Sequence, residues 1–449
     1  MGDLASIVKA YDIRGVVPDQ LDEGVAEAVG AAFARLTGAR TMVTVHDMRT
    51  SSGPLADAFG RGAASQGADV LAAGLGSTDM LYYASGDLGI PGAMVTASHN
   101  PPQYNGIKLC RAGAKPVGIE TGLKDIQSLA ERPMVPAPSP GTISHRDLLP
   151  AYAEHLRKLV DISAIRPLTV AVDAGNGMAG RTAPAVFEGL PITLIPLFFE
   201  LDGTFPNHQA NPIDPENLRD LQRAVTEHHA DIGLAFDGDA DRCFVVDERG
   251  ELVSPSTLTA LIATRELARE PGATIIHNLI TSRAVPEIIA EHGGVPVRTR
   301  VGHSFIKAKM AERAAVFGGE HSGHFYFRDF WFADSGMLAA LHVLGALGEQ
   351  ERPLSRLLAE YSRYHASGEL NSLVADQAAA TALVKEAFAG RPGVKTDELD
   401  GLTVSARAWW FNLRPSNTEP LLRLNVEADT EDTMTAVRDE VLGLVRGTA

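Results

Sequence analysis

The sequence predicts an α/β protein in which three similar mixed α/β units are followed by a smaller α+β domain. Apolar segments of strand length, such as 41–46 and 232–236, alternate along the chain with Ala-rich segments of helical length. Towards the C-terminus this alternation ends, and two apolar runs at 402–406 and 421–426 precede a last helical segment. Strands in succession followed by a helix are typical of an α+β domain.

Domain boundaries follow from breaks in this pattern. The Pro-rich stretch at 132–140 cannot form a regular helix or strand, so the first boundary is placed just after it. With 449 residues, the chain is long enough for several hydrophobic cores. The predicted domains are residues 1–145, 146–248, 249–360 and 361–449.

Composition excludes several classes of partner. The formal net charge is −16 and neither a basic stripe nor a basic tail is visible, which argues against nucleic acid and against a membrane as partner. The first residues lack a signal peptide's basic segment and apolar core, so we expect a cytoplasmic protein. Cys110 and Cys243 are too few for a disulfide framework, which agrees with a reducing compartment. The oligomeric state, monomer or dimer, stays open.

Ser98 stands at a predicted strand end. It follows the apolar run 92–95 and is followed by Asn100, Pro101 and Pro102, which cannot continue a strand or a helix. The serine should therefore lie on a tight loop, where reactive side chains are often displayed. An ordinary Ser/Asn/Pro turn is the alternative that this loop alone leaves open.

Asp237, Asp239 and Asp241 alternate directly after the apolar run 232–236. In an extended or gently turned loop their carboxylates project to one side, where they would repel each other without a cation. Carboxylate oxygens suit Mg²⁺ better than Zn²⁺, so a magnesium loop is predicted. A solvated acidic turn remains possible, whereas an EF-hand is disfavoured because Arg242 occupies the position that needs glycine.

Two further polar loops complete the pattern, one at 319–324 and one at 414–420. The loop at 319–324 contains a carboxylate, a hydroxyl and histidines, flanked by glycines. The second offers a guanidinium, hydroxyls and loop amides, which together suit a phosphate dianion. Arg242 beside the acidic loop is likewise placed to neutralise a phosphate near a bound cation.

These four loops resemble those of the α-D-phosphohexomutase family. One falls in each predicted domain, and the resemblance covers the whole chain. Residues 318–330 are most similar to the bacterial phosphomannomutase/phosphoglucomutase group. The motifs are T-A-S-H-N-P at 96–101, D-G-D-A-D-R at 237–242, G-E-H-S-G-H at 319–324 and R-P-S-N-T-E-P at 414–420.

The resemblance implies four domains around a central cleft and interconversion of mannose 6-phosphate with mannose 1-phosphate, with glucose phosphates as further substrates. It implies that Ser98 carries a phosphoryl group and that the reaction passes through a 1,6-bisphosphate. Asp237, Asp239 and Asp241 would hold Mg²⁺ together with a phosphoserine oxygen, and a hexose 1,6-bisphosphate would act as activator. The domains, in order, would carry the phosphoserine, the metal, the sugar site and the phosphate site.

The same resemblance implies further roles. Besides Ser98, the expected catalytic residues are Lys108 as base or acid, His99 beside the serine, His324 for proton transfer at the other face of the sugar, and Arg242. A base role would require neighbouring cations or burial to lower the pKa of Lys108. The expected substrate-binding residues are Tyr11, Arg14, Gly302, His303, Glu320, Ser322, Arg414, Ser416, Asn417 and Thr418.

Three alternatives remain open at this point. Phosphoglucosamine mutases and phosphoglucomutases have similar motifs, so the preferred sugar is undecided. A Mg²⁺-dependent phosphatase could use the same phosphoserine and let water complete the cycle. A non-catalytic sugar-phosphate sensor would have no need for Ser98 together with three aspartates.

Overall fold

The computed structural model describes residues 4–416 and 421–447. No helix in these two ranges is long and apolar enough to cross a membrane. The chain divides into two compact units, one made of Met1–Pro255 with Ser322–Leu357 and the other of Ser256–His321 with Leu358–Ala449.

The regular elements are numbered here in chain order. The strands are Ile13–Val16 (β1), Thr41–His46 (β2), Asp69–Leu75 (β3), Gly92–Val95 (β4), Tyr104–Arg111 (β5), Lys115–Pro116 (β6), Ile143–His145 (β7), Leu168–Asp173 (β8), Ile192–Leu197 (β9), Ile232–Phe236 (β10), Cys243–Asp247 (β11), Leu252–Val253 (β12), Thr274–Asn278 (β13), Val295–Thr299 (β14), Phe317–Gly319 (β15), Phe325–Phe327 (β16), Ala333–Asp334 (β17), His365–Leu373 (β18), Lys395–Asp397 (β19), Leu402–Ser405 (β20), Trp409–Pro415 (β21) and Leu421–Ala428 (β22). The α-helices are Leu4–Ile7 (α1), Glu23–Thr37 (α2), Ser52–Ser65 (α3), Thr78–Leu88 (α4), Leu123–Ala130 (α5), Leu149–Leu159 (α6), Ala179–Phe187 (α7), Arg219–Glu227 (α8), Pro255–Arg269 (α9), Ala284–Glu291 (α10), His303–Arg313 (α11), Gly336–Gly348 (α12), Leu354–Leu358 (α13), Gln377–Ala389 (α14) and Glu431–Arg446 (α15).

The first unit begins with a mixed sheet of order β1-β5-β4-β2-β3-β7, with β6 paired to β5. Strands β4, β2, β3 and β7 run parallel, whereas β5 runs antiparallel to both β4 and β1. Helices α2 and α3 pack together over this sheet through Phe33 and Phe59, whose ring centroids lie 6.1 Å apart. The carboxyl ends of parallel strands meet at one edge, so the loop after β4 is displayed there.

A second sheet of the same unit has the order β12-β11-β10-β8-β9. Strands β10, β8 and β9 are parallel, and β11 turns back antiparallel to β10. Strand β10 is buried along its whole length, as its apolar sequence predicts. The acidic loop 237–241 is the tight connection between β10 and β11, so it is held between two paired strands.

The second unit contains three parallel strands, β14, β13 and β15, and a separate antiparallel sheet of order β18-β22-β21-β20-β19. Helices α14 and α15 cover this antiparallel sheet, and Phe388 packs edge-on against Phe411 with ring centroids 5.0 Å apart. The long strands β21 and β22 pair throughout, so the residues at their ends are placed by register.

The architecture confirms the predicted fold class: mixed α/β sheets followed by an antiparallel α+β domain. Helix α7 begins only at Ala179, because Asn176, which follows β8, takes a left-handed conformation with φ of 59°.

Candidate active site

The Ser98 loop leaves the buried strand β4 as a tight turn. Ser98 has φ of 51°, a left-handed conformation that non-glycine residues adopt rarely and mostly at special turns. Asn100 N–H closes the turn on the carbonyl of Ala97 at 3.0 Å. The serine is 5% exposed, so it is displayed at a strand end within a largely enclosed site.

The side chain of Arg49 binds the main chain of the Ser98 loop. Its Nη1 donates to the carbonyls of Pro101 and Tyr104 at 2.8 and 3.0 Å. Its Nη2 donates to the carbonyls of Ser98 and Asn100 at 2.9 and 2.6 Å. A planar guanidinium can serve four carbonyls in this way because its donors form a rigid fork. The turn is therefore held by one buried side chain that sequence reasoning did not single out.

Asp47 holds both Arg49 and the serine's own strand. Its Oδ2 accepts from Thr96 Oγ1 at 2.6 Å, and Thr96 Oγ1 accepts from Ser98 N–H at 2.9 Å. Its Oδ1 accepts from Ser52 Oγ at 2.5 Å and from Arg49 N–H at 3.0 Å. Burial raises the pKa of Asp47, although the Arg49 guanidinium opposes that shift. The backbone of Ser98 is thus fixed through a continuous buried network.

The acidic loop brings its three carboxylates together, as the sequence predicts. Asp237, Asp239 and Asp241 are all buried, and one carboxylate oxygen from each lies within 4.8 Å of the others. The turn is completed by Ala240, which has φ of 57°. Close like charges in a buried loop are stable only when cations join them.

Ser98 contacts this loop directly. Its Oγ donates to Asp237 Oδ2 at 2.7 Å, and Arg242 donates to the same oxygen through Nε at 2.9 Å. Arg242 Nη2 also lies 3.3 Å from Ser98 Oγ. A Cβ on Gly238 would stand 2.4 Å from the carbonyl oxygen of Ser98, so only glycine permits this close approach.

Lys108 on β5 reaches the other two carboxylates. Its Nζ lies 2.6 Å from Asp239 Oδ2 and 2.6 Å from Asp241 Oδ2. Burial alone would lower the pKa of Lys108, but these carboxylates outweigh burial and raise it above its usual value. The structure therefore gives a shift opposite to the lowered pKa that a base role would require. Asp239 is also held by Thr78, whose Oγ1 donates to Oδ2 at 2.5 Å.

The donor set fits a divalent cation. The Oδ1 atoms of Asp239 and Asp241 are buried and accept no hydrogen bond within the described residues. Buried carboxylate oxygens without donors are unfavourable unless a cation is bound. Three hard oxygen ligands on one short loop are typical of magnesium sites that complete their shell with substrate phosphate or water.

His99 is neutral in this arrangement. Burial together with the cations of Arg242 and Arg14 holds the pKa of His99 well below its usual value. Its Nδ1 accepts from Arg242 and lies 3.1 Å from Ser98 Oγ. Arg14 on β1 donates to Asn100 Oδ1 at 2.6 Å, so it borders the same loop. Tyr11 lies half-buried in the turn before β1.

His324 approaches the acidic loop from another side. Its Nε2 lies 3.7 Å from Asp241 Oδ1, and its Nδ1 lies 2.9 Å from Ser322 Oγ. The backbones of His324 and Arg242 form an isolated antiparallel bridge. The first unit therefore gathers Ser98, the three aspartates, Lys108, Arg242, His99 and His324.

The second unit holds the remaining described candidates in two groups. Glu320, after β15, is 2% exposed and its Oε1 accepts from Gly302 N–H at 3.1 Å and from Asn278 Nδ2 at 3.2 Å. Gly302 has φ of 131° and precedes α11, which His303 begins. This carboxylate and this helix start thus form one local cluster.

Arg414 lies at the end of β21, where register places Arg423 of β22 directly opposite. Arg414 Nη2 and Arg423 Nη1 contact the two oxygens of Glu369 at 2.7 and 3.1 Å. Arg423 Nη2 also lies 3.4 Å from Ser416 Oγ. Two guanidinium groups therefore lie side by side at this end of the β21–β22 pair, and guanidinium groups suit an anion such as phosphate. Asn417 and Thr418, predicted for the same loop, lie outside the described residues.

Family models match almost the whole chain. They describe phosphoglucomutase/phosphomannomutase alpha/beta/alpha domains I, II and III and the C-terminal domain, at residues 5–133, 150–250, 254–364 and 369–444.

Curated relatives are similar over nearly their full length. A phosphomannomutase of Salmonella typhimurium is 40% identical over 444 residues, 97% of both chains. A protein named phosphohexose mutases from Xanthomonas campestris pv. campestris is 41% identical over 443 residues, covering 98% of this chain and 99% of that protein.

Solved structures show the same fold. A phosphoglucomutase/phosphomannomutase family protein from Burkholderia thailandensis matches with a TM-score of 0.90 and 32% identity, over 100% of this chain and 99% of that one. Parafusin from Paramecium matches with a TM-score of 0.78, 98% coverage of this chain and 94% of its own, but at 17% identity it shows likeness of fold alone.

Replacing Arg49 by Met should lower the free energy of unfolding by about 3–5 kcal/mol, because four carbonyls lose their donor and buried Asp47 loses its cation. The measurement is the shift of the urea midpoint. Arg61→Met is the matched control: Arg61 is exposed, and its ion pairs among the described residues are with exposed Glu23 and Glu27, so a change within about 1 kcal/mol is expected. Equal midpoints for both variants would contradict the role assigned to Arg49.

Proposed function

The chain belongs to the phosphoglucomutase/phosphomannomutase family, and on that premise we propose that it interconverts mannose 6-phosphate and mannose 1-phosphate, and glucose phosphates as well. It is a phosphohexomutase, an isomerase of sugar phosphates. The observation that most supports the proposal is the hydrogen bond between Ser98 and the acidic loop beside Arg242. This contact places a nucleophilic oxygen among carboxylates and a guanidinium suited to phosphoryl transfer.

The proposed reaction has two phosphoryl transfers. A phosphoryl group on Ser98 Oγ passes to a free hydroxyl of the sugar phosphate: the phosphorus–serine oxygen bond breaks, a phosphorus–sugar oxygen bond forms, and the hydroxyl proton goes to a base. The resulting hexose 1,6-bisphosphate returns its other phosphoryl group to Ser98, and the departing sugar oxygen regains a proton. The hexose 1,6-bisphosphate added as activator would phosphorylate Ser98 in the same manner.

We assign the charge-neutralising role around Ser98 to named groups. Arg242 contacts Ser98 Oγ and is held in place by Asp237, so its guanidinium faces the transferring group. The backbone network of Arg49 and Asp47 keeps the serine oxygen in position. Because phosphoryl transfer depends mainly on positioning and charge stabilisation, these two contributions account for the core step.

Asp237, Asp239 and Asp241 are proposed to hold Mg²⁺, supported by the orphaned oxygens of the last two. The ion, when bound, would supply positive charge to the oxygens of the transferring phosphoryl group. Lys108 makes charge-assisted contacts to both Asp239 and Asp241, and these two contacts stabilise the acidic loop.

Proton transfer is assigned to residues on two sides of the acidic loop. Lys108 and His324 both contact Asp241. The raised pKa of Lys108 keeps its ammonium protonated, so Lys108 is assigned as the acid that returns a proton to the departing sugar oxygen, and His324 as the group that takes the hydroxyl proton. His99 is assigned a positioning role, because its Nδ1 accepts from Arg242 and lies beside Ser98.

Substrate binding is assigned to the remaining candidates. The sugar would be contacted by Glu320, Gly302, His303 and Ser322. If these residues contact only the O3 and O4 hydroxyls, they do not select the configuration at C2, so both glucose and mannose phosphates would be accepted. The non-transferring phosphate would be bound by Arg414, Ser416, Asn417 and Thr418, and we add Arg423 to this set because it faces Arg414 and lies near Ser416. Tyr11 and Arg14 are assigned to substrate binding as well, and Arg14 borders the serine loop. The four predicted domains keep their proposed roles.

Ser98→Ala should abolish turnover of mannose 1-phosphate assayed with a trace of hexose 1,6-bisphosphate, because the phosphoryl carrier is removed. Intact-mass analysis should also show one phosphoryl group on the wild-type chain after incubation with bisphosphate and none on the variant. Ser144→Ala, which removes an exposed hydroxyl of the same unit, should leave both readouts unchanged.

Retained bisphosphate-dependent turnover in Ser98→Ala would refute the proposal. Release of inorganic phosphate by the wild type in place of an isomerised sugar phosphate would instead identify a phosphatase. Comparing mannose, glucose and glucosamine phosphates in the same assay ranks the sugars.

Asp239→Asn should remove the stabilisation by Mg²⁺, because a charged ligand of the proposed site is lost. For the wild type, Mg²⁺ at a hundredfold excess over its Kd should add about 2.7 kcal/mol of stability, read as a rise in Tm. Asp220→Asn, at a half-buried residue on α8 that is paired with Arg223, should respond to Mg²⁺ like the wild type. An unchanged Mg²⁺ response in Asp239→Asn would exclude this loop as the metal site.

Arg423→Met should raise the KM for sugar phosphate about tenfold with a smaller change in kcat, because a charge-assisted contact to the bound phosphate is lost. Steady-state kinetics of both parameters is the measurement. Arg438→Met is the control, since Arg438 lies on α15 and pairs with its exposed neighbour Asp439. If KM is the same in both variants, Arg423 is not part of the phosphate site.

A further inference from the structure

A cavity of about 450 Å³ lies in the second unit, apart from the residues assigned to catalysis and substrate binding. One wall comes from the carboxyl ends of β13 and β14 and the start of α10, and the other from β19, β20 and the adjoining part of β21. Its volume is in the range of small-molecule sites. Its polar and charged lining includes His277, Arg283, Arg298, Lys395, Asp397 and Thr403.

His277 gives this cavity a defined polar group. The ring is 5% exposed, and its Nδ1 lies 3.1 Å from the carbonyl of Asn278, which can only accept, so Nδ1 carries the proton. Burial, with the nearby Arg298 cation, lowers the pKa of His277 to about 4, so the ring is neutral at physiological pH. Nε2 is then an acceptor, and no hydrogen bond to it is made within residues 4–416 and 421–447. A ligand hydroxyl would supply the missing donor.

The charged lining is cationic. Arg298 pairs with Asp397 across the cavity, and Arg283 pairs with Asp429 and donates to the carbonyl of Arg407 at 2.9 Å. Lys395 is exposed and makes no ion pair with any described residue. Since Arg298 and Arg283 are each paired with a carboxylate, Lys395 is the lining cation whose charge is not balanced within residues 4–416 and 421–447, and it favours an anion at this wall.

The remaining walls are apolar or hydroxylic. Leu279, Pro286, Ala406 and Trp410 contribute apolar surface, and Trp410 is fixed because its Nε1 donates to Glu427 Oε1 at 2.7 Å. Thr403 Oγ1 accepts from Asn412 Nδ2 at 3.0 Å, and no described residue accepts its hydroxyl proton, which can therefore donate to a ligand. The cavity thus combines a cationic rim, a neutral imidazole acceptor, hydroxyls and a rigid aromatic wall.

We propose that this cavity is a second ligand site that binds a small organic phosphate bearing hydroxyls and a planar group, the chemistry of a nucleoside monophosphate. The phosphate would contact Lys395 and Arg298, and a ribose hydroxyl would donate to His277 Nε2. The planar base would lie against the apolar wall that includes Trp410. This inference is independent of the proposed reaction, because none of these contacts involves the Ser98 site.

The test is isothermal titration of the full-length protein with AMP in the presence of saturating mannose 1-phosphate, which occupies the proposed catalytic site. One AMP per chain is expected, and Lys395→Ala should weaken its binding about tenfold, the value of one charge-assisted contact. Lys309→Ala, which removes the same charge from the surface of α11, should bind AMP like the wild type. Photolabelling with 8-azido-AMP should mark a peptide from 395–410.

Several results would overturn the site. Absence of AMP binding at millimolar concentration would do so, as would equal binding by Lys395→Ala and Lys309→Ala. If inorganic phosphate binds as tightly as AMP, the cavity recognises an anion alone and the organic class is wrong. If adenosine binds as tightly as AMP, the basic residues of the lining do not contribute to binding. Lys395 is exposed, so its variant is expected to fold, and unchanged mannose 1-phosphate turnover would verify this while leaving the AMP result to decide.

Discussion

The burial of three carboxylates in one short loop is the constraint on which the rest of the first unit depends. Asp237, Asp239 and Asp241 cannot share a buried site as bare anions, because removing like charges from water and placing them together is strongly unfavourable. Two cations offset this, with Arg242 on Asp237 and Lys108 between the other two. Burial disfavours the charged form of Asp239, yet Lys108 more than compensates and holds its pKa well below the usual value. Both cations that stabilise the loop also have proposed roles in the reaction, Arg242 at the transferring phosphoryl group and Lys108 in proton transfer.

A second constraint is that the serine must meet this loop at a fixed distance. The required precision does not come from the turn itself, whose Asn and Pro residues only end the strand. It comes from Arg49, which binds four carbonyls, and from Asp47, which reaches the serine through Thr96. Asp47 and Arg49 follow β2 rather than β4. Residues at the end of one parallel strand therefore stabilise the loop that follows the neighbouring strand. Such an arrangement agrees with the general observation that precise sites rest on rigid elements and a packed supporting layer.

The sequence predicted the fold class and the principal groups of the first unit because each lies in a short local motif. Ser98, the aspartates and Arg242 follow apolar runs whose strand character is read directly from composition. The position of Lys108 was predicted, but not its contacts, because they join residues more than a hundred positions apart. Arg49 and Thr78 were missed for the same reason: an isolated arginine or threonine has no local signature, and only the packing of the sheets places it. Arg423 was missed because its role depends on the β21–β22 register, which a single sequence does not fix.

Gly238 has a consequence for the distance between the two loops. With no side chain between them, the peptide of Gly238 rests almost directly on the carbonyl of Ser98, and a Cβ there would stand 2.4 Å from that oxygen. Any side chain at this position would have to push the serine turn away from the acidic loop, and the Ser98 hydroxyl would then lose its contact with Asp237. The absence of one side chain therefore sets how closely the two loops approach.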